Sequence, residues 1–457
     1  MKELLIIAVG LAALNQRIAH GAVFDSAERY PPGKCHPGTR ARAIAEILSW
    51  IDDPTPSESV LWIHGSMGVG KSAVMQSIAE ILFAEKKNQY GGSFFFSRGV
   101  EGRDNGNLLF ATLAYQLAVH NPSLGTHIDK AMTRDPSLPT KSMDVQLRDL
   151  IIRPMHECWT ESVTILGPVI LIDGLDECHD SDSQCTVLAL VAESIGTPHI
   201  PLRFLIASRP EYWIRDCFVG LPLSSSTRKI SLNNPESGTN DDIEKYLTDK
   251  FDDIYVRNSR FMGNVKRPWP STEVIDRLVR DASGQFVYAS TVLKFIGKAF
   301  CDPRKQLDII LSPGPFRSIA FSELDKLYTI ILSQFPRPES LRSVLGGLLL
   351  SMSPAAMEFY LGVDPTEVAI VLDFLSSLVT DDRLDWPKDD DELTQLYGAE
   401  SHISFSHLSF REFLQDHSRA GPYFSDQAAI CDQVAISYLR FVDMGLSQKE
   451  CSNDCHW

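Results

Sequence analysis

The chain of 457 residues carries 43 basic against 59 acidic side chains, a net charge of −16, with 44% hydrophobic and 22% charged content. That length and composition suit soluble globular protein of two to four packed modules. The charge argues against a general nucleic-acid-binding surface, so a phosphate-bearing ligand requires a local positive site.

The chain opens on an apolar run, Leu4 to Leu14, too short to cross a bilayer as a helix. Lys2 is cancelled by Glu3, which leaves a secretory n-region weak. A packed N-terminal helix is the reading preferred here, with a signal peptide as the alternative and no stable membrane span in either. Nine cysteines, odd in number and without paired CxxC spacing, suit free thiols in a reducing, cytoplasmic setting. Cys178, His179 and Cys185, or Cys451, Cys455 and His456, lack the usual metal-ligand spacing.

The stretch "SVLWIHG" predicts a short apolar strand, and Gly65 to Ser72, "GSMGVGKS", fits G-x-x-x-x-G-K-[ST]. Ala73, Val74, Ile78, Ile81 and Leu82 then recur at helical spacing. Strand, glycine loop and helix is the context a phosphate cradle needs. Gly68 and Gly70 let backbone N–H groups turn inward, the helix N-terminus adds partial positive charge, and Lys71 adds a full one. Ser72 is placed to hold magnesium through its hydroxyl.

Further on, "PVILIDGLDECHD" reads as a buried strand, Val169 to Ile172, ending in Asp173, the acid expected to position the metal. Gly174 stands where many hydrolytic relatives carry a water-activating acid. Asp176 and Glu177 follow instead and are read as the metal and water side of the site. A third strand, "LRFLIASRPEYW", ends at Ser208 and Arg209. Arg209 at the strand tip is read as a contact to the terminal phosphate, with a plain surface arginine as the alternative.

Together "KCHPGTR", "VLWIHGSMGVGKSA", "GGSFFFSR", "ATLAYQLA", "VILIDGLDEC" and "FLIASRPE" resemble the NACHT family of STAND P-loop NTPases, especially fungal members with a nephrocystin-3-like N-terminal domain. The resemblance runs from about Phe24 to beyond Phe410. It implies an α/β fold in which a parallel-sheet P-loop core is followed by helical and winged-helix domains, closing over ADP and opening on exchange for ATP. The corresponding spans are an N-terminal segment 1–30, a nucleotide-binding domain 31–230, a helical domain 231–330, a winged-helix domain 331–420 and a helical tail 421–457. Gly65, Gly68, Gly70, Lys71 and Ser72 keep their phosphate roles, Ser72 and Asp173 the metal, and Arg209 the terminal phosphate. Asp176 or Glu177 orients the hydrolytic water. Thr39 and Arg40 lie beside the nucleotide, although "CHPGTR" also reads as a turn into a helix at Ala41.

The rest of the chain is legible without the family. "TNDDIEKYLTDKF" puts Ile243, Tyr246 and Leu247 on one helix face, and Ile275, Leu278 and Val279 precede a glycine break at Gly284. Short strands are expected around Leu384 and Ile403, with the acidic tip Asp389 to Glu392 as a solvated loop between them. In "ISFSHLSFREFLQDH", His407 precedes an expected capping box, Ser409 to Glu412. By itself His407 is a local hydrogen-bonding residue; the resemblance makes it a contact to the diphosphate of a closed switch.

Two parts of a receptor are not assigned, an effector domain ahead of Ala22 and a sensor with a leucine-rich, ankyrin, WD40 or TPR period, and both a compact member and a truncated chain stay open. The leading expectation is a nucleotide-dependent switch using ATP/ADP, or GTP, with Mg, and assembling with itself when open. A steadily hydrolysing NTPase and a nucleotide-binding scaffold are the alternatives, while nothing resembles the acceptor pocket or lid of a small-molecule kinase.

Overall fold

The computed structural model describes residues 9–54, 57–159, 167–195, 202–220, 222–233, 238–263, 265–312, 322–381 and 403–439. The chain divides into two compact units, Met1–Ile243 and Glu244–Trp457.

The first unit is built on five parallel strands: β1 Val60–His64, β2 Tyr90–Phe95, β3 Val169–Asp173, β4 Arg203–Ser208 and β5 Thr227–Ser231. Their order across the sheet is β2-β3-β4-β1-β5. The apolar runs explain the arrangement. Strands hydrophobic at every position must be covered on both faces, which parallel strands joined by helical crossovers achieve. On one face Leu61, Ile63, Leu171 and Leu205 pack with Trp50 and Ile78. On the other, Trp62, Ile170, Ile172, Phe204 and Ile206 pack with Leu113, Val187 and Phe218.

The helices around the sheet include α1 Val9–Asn15, α2 Ala41–Asp52, α3 Lys71–Glu85, α4 Leu109–His120, α5 Pro122–Arg134, α6 Ser181–Ile195 and α7 Tyr212–Val219. Residues 9–30 are built into this unit. Leu14 is fully buried in the core that holds α4 and α5, and the Leu11 amide donates to Asp129 Oδ1 at 3.0 Å. Further along, the Phe24 amide donates to Ser93 Oγ at 3.1 Å and its carbonyl accepts from Gln76 Nε2 at 3.1 Å. The C-terminal half of the Leu4 to Leu14 run is therefore core helix, and no single helix among the described residues is long and apolar enough to cross a membrane.

Helix α8, Thr239–Arg257, begins at the end of the first unit and continues into the second. There follow α9 Thr272–Ala282, α10 Phe286–Ile296, α11 Glu323–Ser333, α12 Pro338–Leu349 and α13 Pro365–Phe374. The break between α9 and α10 falls where the glycine predicted it, with Ser283 and Gly284 both at positive φ. An antiparallel pair, β6 Val379–Asp381 with β7 Ile403–Phe405, precedes α14 Leu408–Gln415. The second strand matches the expectation around Ile403, whereas the first lies ahead of Leu384; Leu384 and the tip Asp389 to Glu392 lie outside the described residues.

Candidate functional site

Strand β1 lies between β4 and β5, with His64 paired to both Ser208 and Ser231. The loop that leaves β1 therefore emerges from inside the sheet, at the carboxyl ends of the strands where ligands of open α/β sheets bind. Gly68 at φ 75° and Gly70 at φ 96° take left-handed conformations that a side chain disfavours. Gly70 is the N-cap of α3, and Lys71 is its first residue. Gly65 is required for a different reason: a Cβ there would lie 2.7 Å from Asn233 Oδ1 and 2.9 Å from Val69 Cγ1. Asn233 Oδ1 accepts the Ser66 amide at 2.9 Å, so the residue just beyond β5 holds the loop's first turn.

Lys71 Nζ donates to the carbonyls of Gly65 at 2.9 Å and Ser66 at 3.0 Å. Burial lowers its pKa, opposed first by Asp176 and then by Asp173. Asp173, at the end of β3, accepts a hydrogen bond from the Ser72 side chain, yet burial pushes its carboxyl up to about 6. Its Oδ1 is buried with no hydrogen-bond partner. An orphaned carboxylate oxygen beside a hydroxyl fits a divalent cation, since hard cations take oxygen ligands. No cluster of three or more acidic, histidine or cysteine ligands occurs among the described residues. A cation at Ser72 and Asp173 would draw its other ligands from phosphate and water, as magnesium commonly does.

Gly174 sits at φ 67° and turns the chain so that Asp176 and Glu177 face back towards the sheet end. The two acids then differ. Asp176 clasps Arg209, with Oδ1 accepting the Arg209 amide at 2.8 Å and Oδ2 lying 3.1 Å from its Nε. Glu177 Oε2 accepts the Arg98 amide at 3.3 Å, and burial, then Asp176 and Asp173, push its carboxyl up to about 7. Of the pair named from the sequence, Asp176 is engaged with the arginine, and Glu177 has the pKa suited to accepting a proton near neutrality.

Thr39 and Arg40 form the turn into α2, and Arg40 also reaches the loop. The Thr39 hydroxyl donates to the His36 carbonyl at 2.7 Å. The buried Arg40 guanidinium donates to the Val69 carbonyl at 2.7 Å and to Thr239 Oγ1 at 2.7 Å, while its backbone amide donates to Asp242 Oδ2 at 2.9 Å. Arg40 thus grips the cradle from behind and ties it to the start of α8.

His407 lies in the second unit. It is itself the N-cap of α14: Nδ1 accepts the Ser409 amide at 3.1 Å and lies 2.7 Å from Ser409 Oγ. This corrects the expected capping box. Ser409 cannot cap, because its fully buried hydroxyl is held between His407 and the Tyr328 hydroxyl at 2.7 Å.

Three arginines escaped the sequence reading. Arg29 lies over the Phe95 ring at 3.6 Å and donates to the Phe24 carbonyl at 3.0 Å; burial lowers its pKa to about 10, opposed chiefly by Asp173. Arg103 feels both Glu177 and Asp173, and Arg98 Nη2 donates to the Asp176 carbonyl at 2.5 Å. "AERYPPGKC" and "SRGVEGRD" carry no local pattern that points to the acidic turn. Asn233 was the more accessible signal, a polar residue at the carboxyl end of a strand.

A family model described as Nephrocystin 3, N-terminal, matches residues 42–209, from within α2 to Arg209. No curated protein matches the chain. Among solved structures, the chain is similar to the Aeropyrum pernix ORC2 protein in its ADPNP-ADP complexes, at 13% identity over 92% of this chain and 100% of that one, with a TM-score of 0.34. It is likewise similar to the Aeropyrum pernix ORC1 protein in complex with DNA, at 13% identity over 90% and 94% of the chains and a TM-score of 0.33. Drosophila ORC bound to DNA gives 11% identity over 94% and 91%, with a TM-score of 0.35.

Proposed function

We propose that this chain is a nucleotide-dependent P-loop switch of the STAND/NACHT type, which binds ATP or GTP with magnesium, hydrolyses it slowly and is held closed by the diphosphate. The observation that carries the reading is the facing pair of a left-handed glycine cradle ending in Lys71 and an orphaned Asp173 oxygen beside Ser72. Lys71, now on its own loop carbonyls, exchanges those acceptors for phosphate oxygens. Ser72 and Asp173 would hold a magnesium ion, which would supply positive charge to the nucleotide's phosphates.

Glu177 orients and deprotonates the attacking water, and Arg209 reads the terminal phosphate, released for that contact from Asp176. The clasp supports a switch over a fast enzyme, because Arg209 must trade a paired carboxylate for phosphate before it acts. The resemblance further assigns His407 to sensing the diphosphate. Its Nδ1 accepts the Ser409 amide, so the neutral ring carries its proton on Nε2 as a donor. The 331–420 segment takes the winged-helix role, and the net charge of −16 disfavours nucleic acid as a partner. Self-association on opening completes the reading.

The test is to purify the chain without added nucleotide, denature it and identify what it releases. Near-stoichiometric diphosphate, slowly exchanged, is the expected result. An empty site with rapid turnover supports the steadily hydrolysing NTPase instead, and an empty site without turnover a scaffold. Lys71→Ala is expected to weaken nucleotide binding on the order of a hundredfold, through loss of charge-assisted hydrogen bonds; titration with a fluorescent ADP analogue measures it, and unchanged affinity refutes the site. His407→Leu is expected to speed diphosphate release.

A further inference from the structure

Cys185 lies on α6 and Cys217 on α7, helices that pack together on the same face of the sheet. Both thiols are free and partly exposed, and the Cys185 side chain lies close enough to act on the Cys217 thiol. The helices are joined a second time beside this pair, where Trp213 Nε1 donates to Gln184 Oε1 at 2.7 Å. Gln184 then passes the link to the acidic turn, its Nε2 donating to the Cys178 carbonyl at 2.9 Å and the Asp176 carbonyl at 3.3 Å. Helix α7 is also the element that follows Arg209. The two cysteines therefore stand on the two segments that supply the Asp176–Arg209 clasp.

We propose that Cys185 and Cys217 are a peroxide-responsive dithiol whose closure to a disulfide fixes α7 on α6 and holds Arg209 against Asp176. Burial, then the neighbouring Cys185 thiol, raises the pKa of Cys217 to about 11; either sulfur can make the opening attack, which proceeds from Cys185 as follows. The Cys185 sulfur attacks one peroxide oxygen, the O–O bond breaks, one water leaves and a sulfenic acid forms. The Cys217 sulfur then attacks the Cys185 sulfur, the S–O bond breaks, and the departing hydroxide takes the Cys217 proton as a second water. Two thiols lose two electrons and two protons, and the peroxide is reduced to two waters. A cellular dithiol reductant reverses the step. The effect on nucleotide rests on the function proposed above; formation of the disulfide does not.

The experiment treats the reduced full-length protein with a few equivalents of hydrogen peroxide. Three readings follow: peptide mass mapping, amide hydrogen exchange across residues 210–219, and release of a fluorescent ADP analogue. The expected result is a Cys185–Cys217 cross-linked peptide at peroxide doses that leave the exposed Cys431 unmodified. Both amide exchange and ADP release then slow about fivefold or more. Dithiothreitol restores both, Cys185→Ser and Cys217→Ser abolish both, and Cys35→Ser leaves them intact. Absence of that cross-link while Cys431 oxidises overturns the proposal, as does a cross-link that leaves amide exchange unchanged. A cross-link that slows the amides in a protein binding no nucleotide upholds the dithiol and refutes the nucleotide reading instead.

Discussion

At the scale of single residues, the site is governed by how many charges share a small buried volume. Asp173, Asp176 and Glu177 repel one another, and Lys71, Arg29, Arg103 and Arg209 offset them. Glu177 shows the residual cost, with its pKa raised from an ordinary 4.5 to about 7. Because the folded value is above the unfolded one, the folded protein keeps a proton that the unfolded chain releases. The stability from that proton is complete below about pH 4.5 and is lost as pH rises through about 7. Thermal melts of nucleotide-free protein are expected to show Tm falling across this window. Glu177→Gln is expected to flatten the fall, leaving the part that Asp173 contributes on its way to about 6; an unchanged slope contradicts the assignment. Gly65→Ala tests packing rather than charge. Its Cβ must displace Asn233 or Val69, and nucleotide affinity, measured by calorimetry, is expected to fall about tenfold as the first turn of the loop shifts.

At the scale of elements, the same polar contacts act as fasteners. The Arg40 guanidinium joins the cradle at Val69 to α8 at Thr239. Asn233 joins the cradle to the end of β5, so the loop's shape depends on three separate segments. In the second unit, α11 and α14 meet through Tyr328, Phe410 and Phe413, with ring centroids 4.9 and 5.3 Å from Tyr328. Nearby, Arg419 forks onto Asp325 at 2.7 and 3.1 Å. Breaking a largely buried ion pair leaves a charge without its partner. Asp325→Ala is expected to cost about 2 kcal/mol, a figure reduced because Arg419 is partly solvated. Chemical denaturation followed by circular dichroism measures it. Tyr328→Phe is expected to cost less, about 1 kcal/mol, since it removes one buried hydrogen bond.

For the whole molecule, the proposed binding of nucleotide would be linked to folding. A ligand that binds only the folded state at a hundred times its dissociation constant adds about 2.7 kcal/mol to stability. Magnesium with ADP is therefore expected to raise the Tm of the unfolding transition that reports the first unit. The Lys71→Ala chain, binding about a hundredfold more weakly, is expected to keep only a small part of that rise at the same concentration. The N-terminal helix bears on the same unit. Leu14→Asp puts a charge at a fully buried position, and is expected to destabilise the first unit by several kcal/mol. A wild-type Tm for that variant contradicts the packing of residues 9–15.

The cradle and the two acidic and basic strand ends were legible in the sequence because each is local. Glycines that turn a loop, a lysine at a helix start and an apolar run ending in Asp173 act within a few residues of one another, and strand runs without polar alternation already require a parallel sheet covered on both faces. The division of labour between Asp176 and Glu177 was not legible. It depends on Arg209, which the fold brings to Asp176 from the end of another strand. His407 as the cap of its own helix depends likewise on Tyr328, distant in sequence, occupying Ser409. Arg29, Arg103 and the Cys185–Cys217 pair belong to the same class, since charge and thiol contacts act through space and leave no periodic trace along the chain. Sequence determined which chemistry the chain carries, through short-range patterns; tertiary structure decided which side chain meets which, because those meetings are made by segments the sheet and its helices bring together.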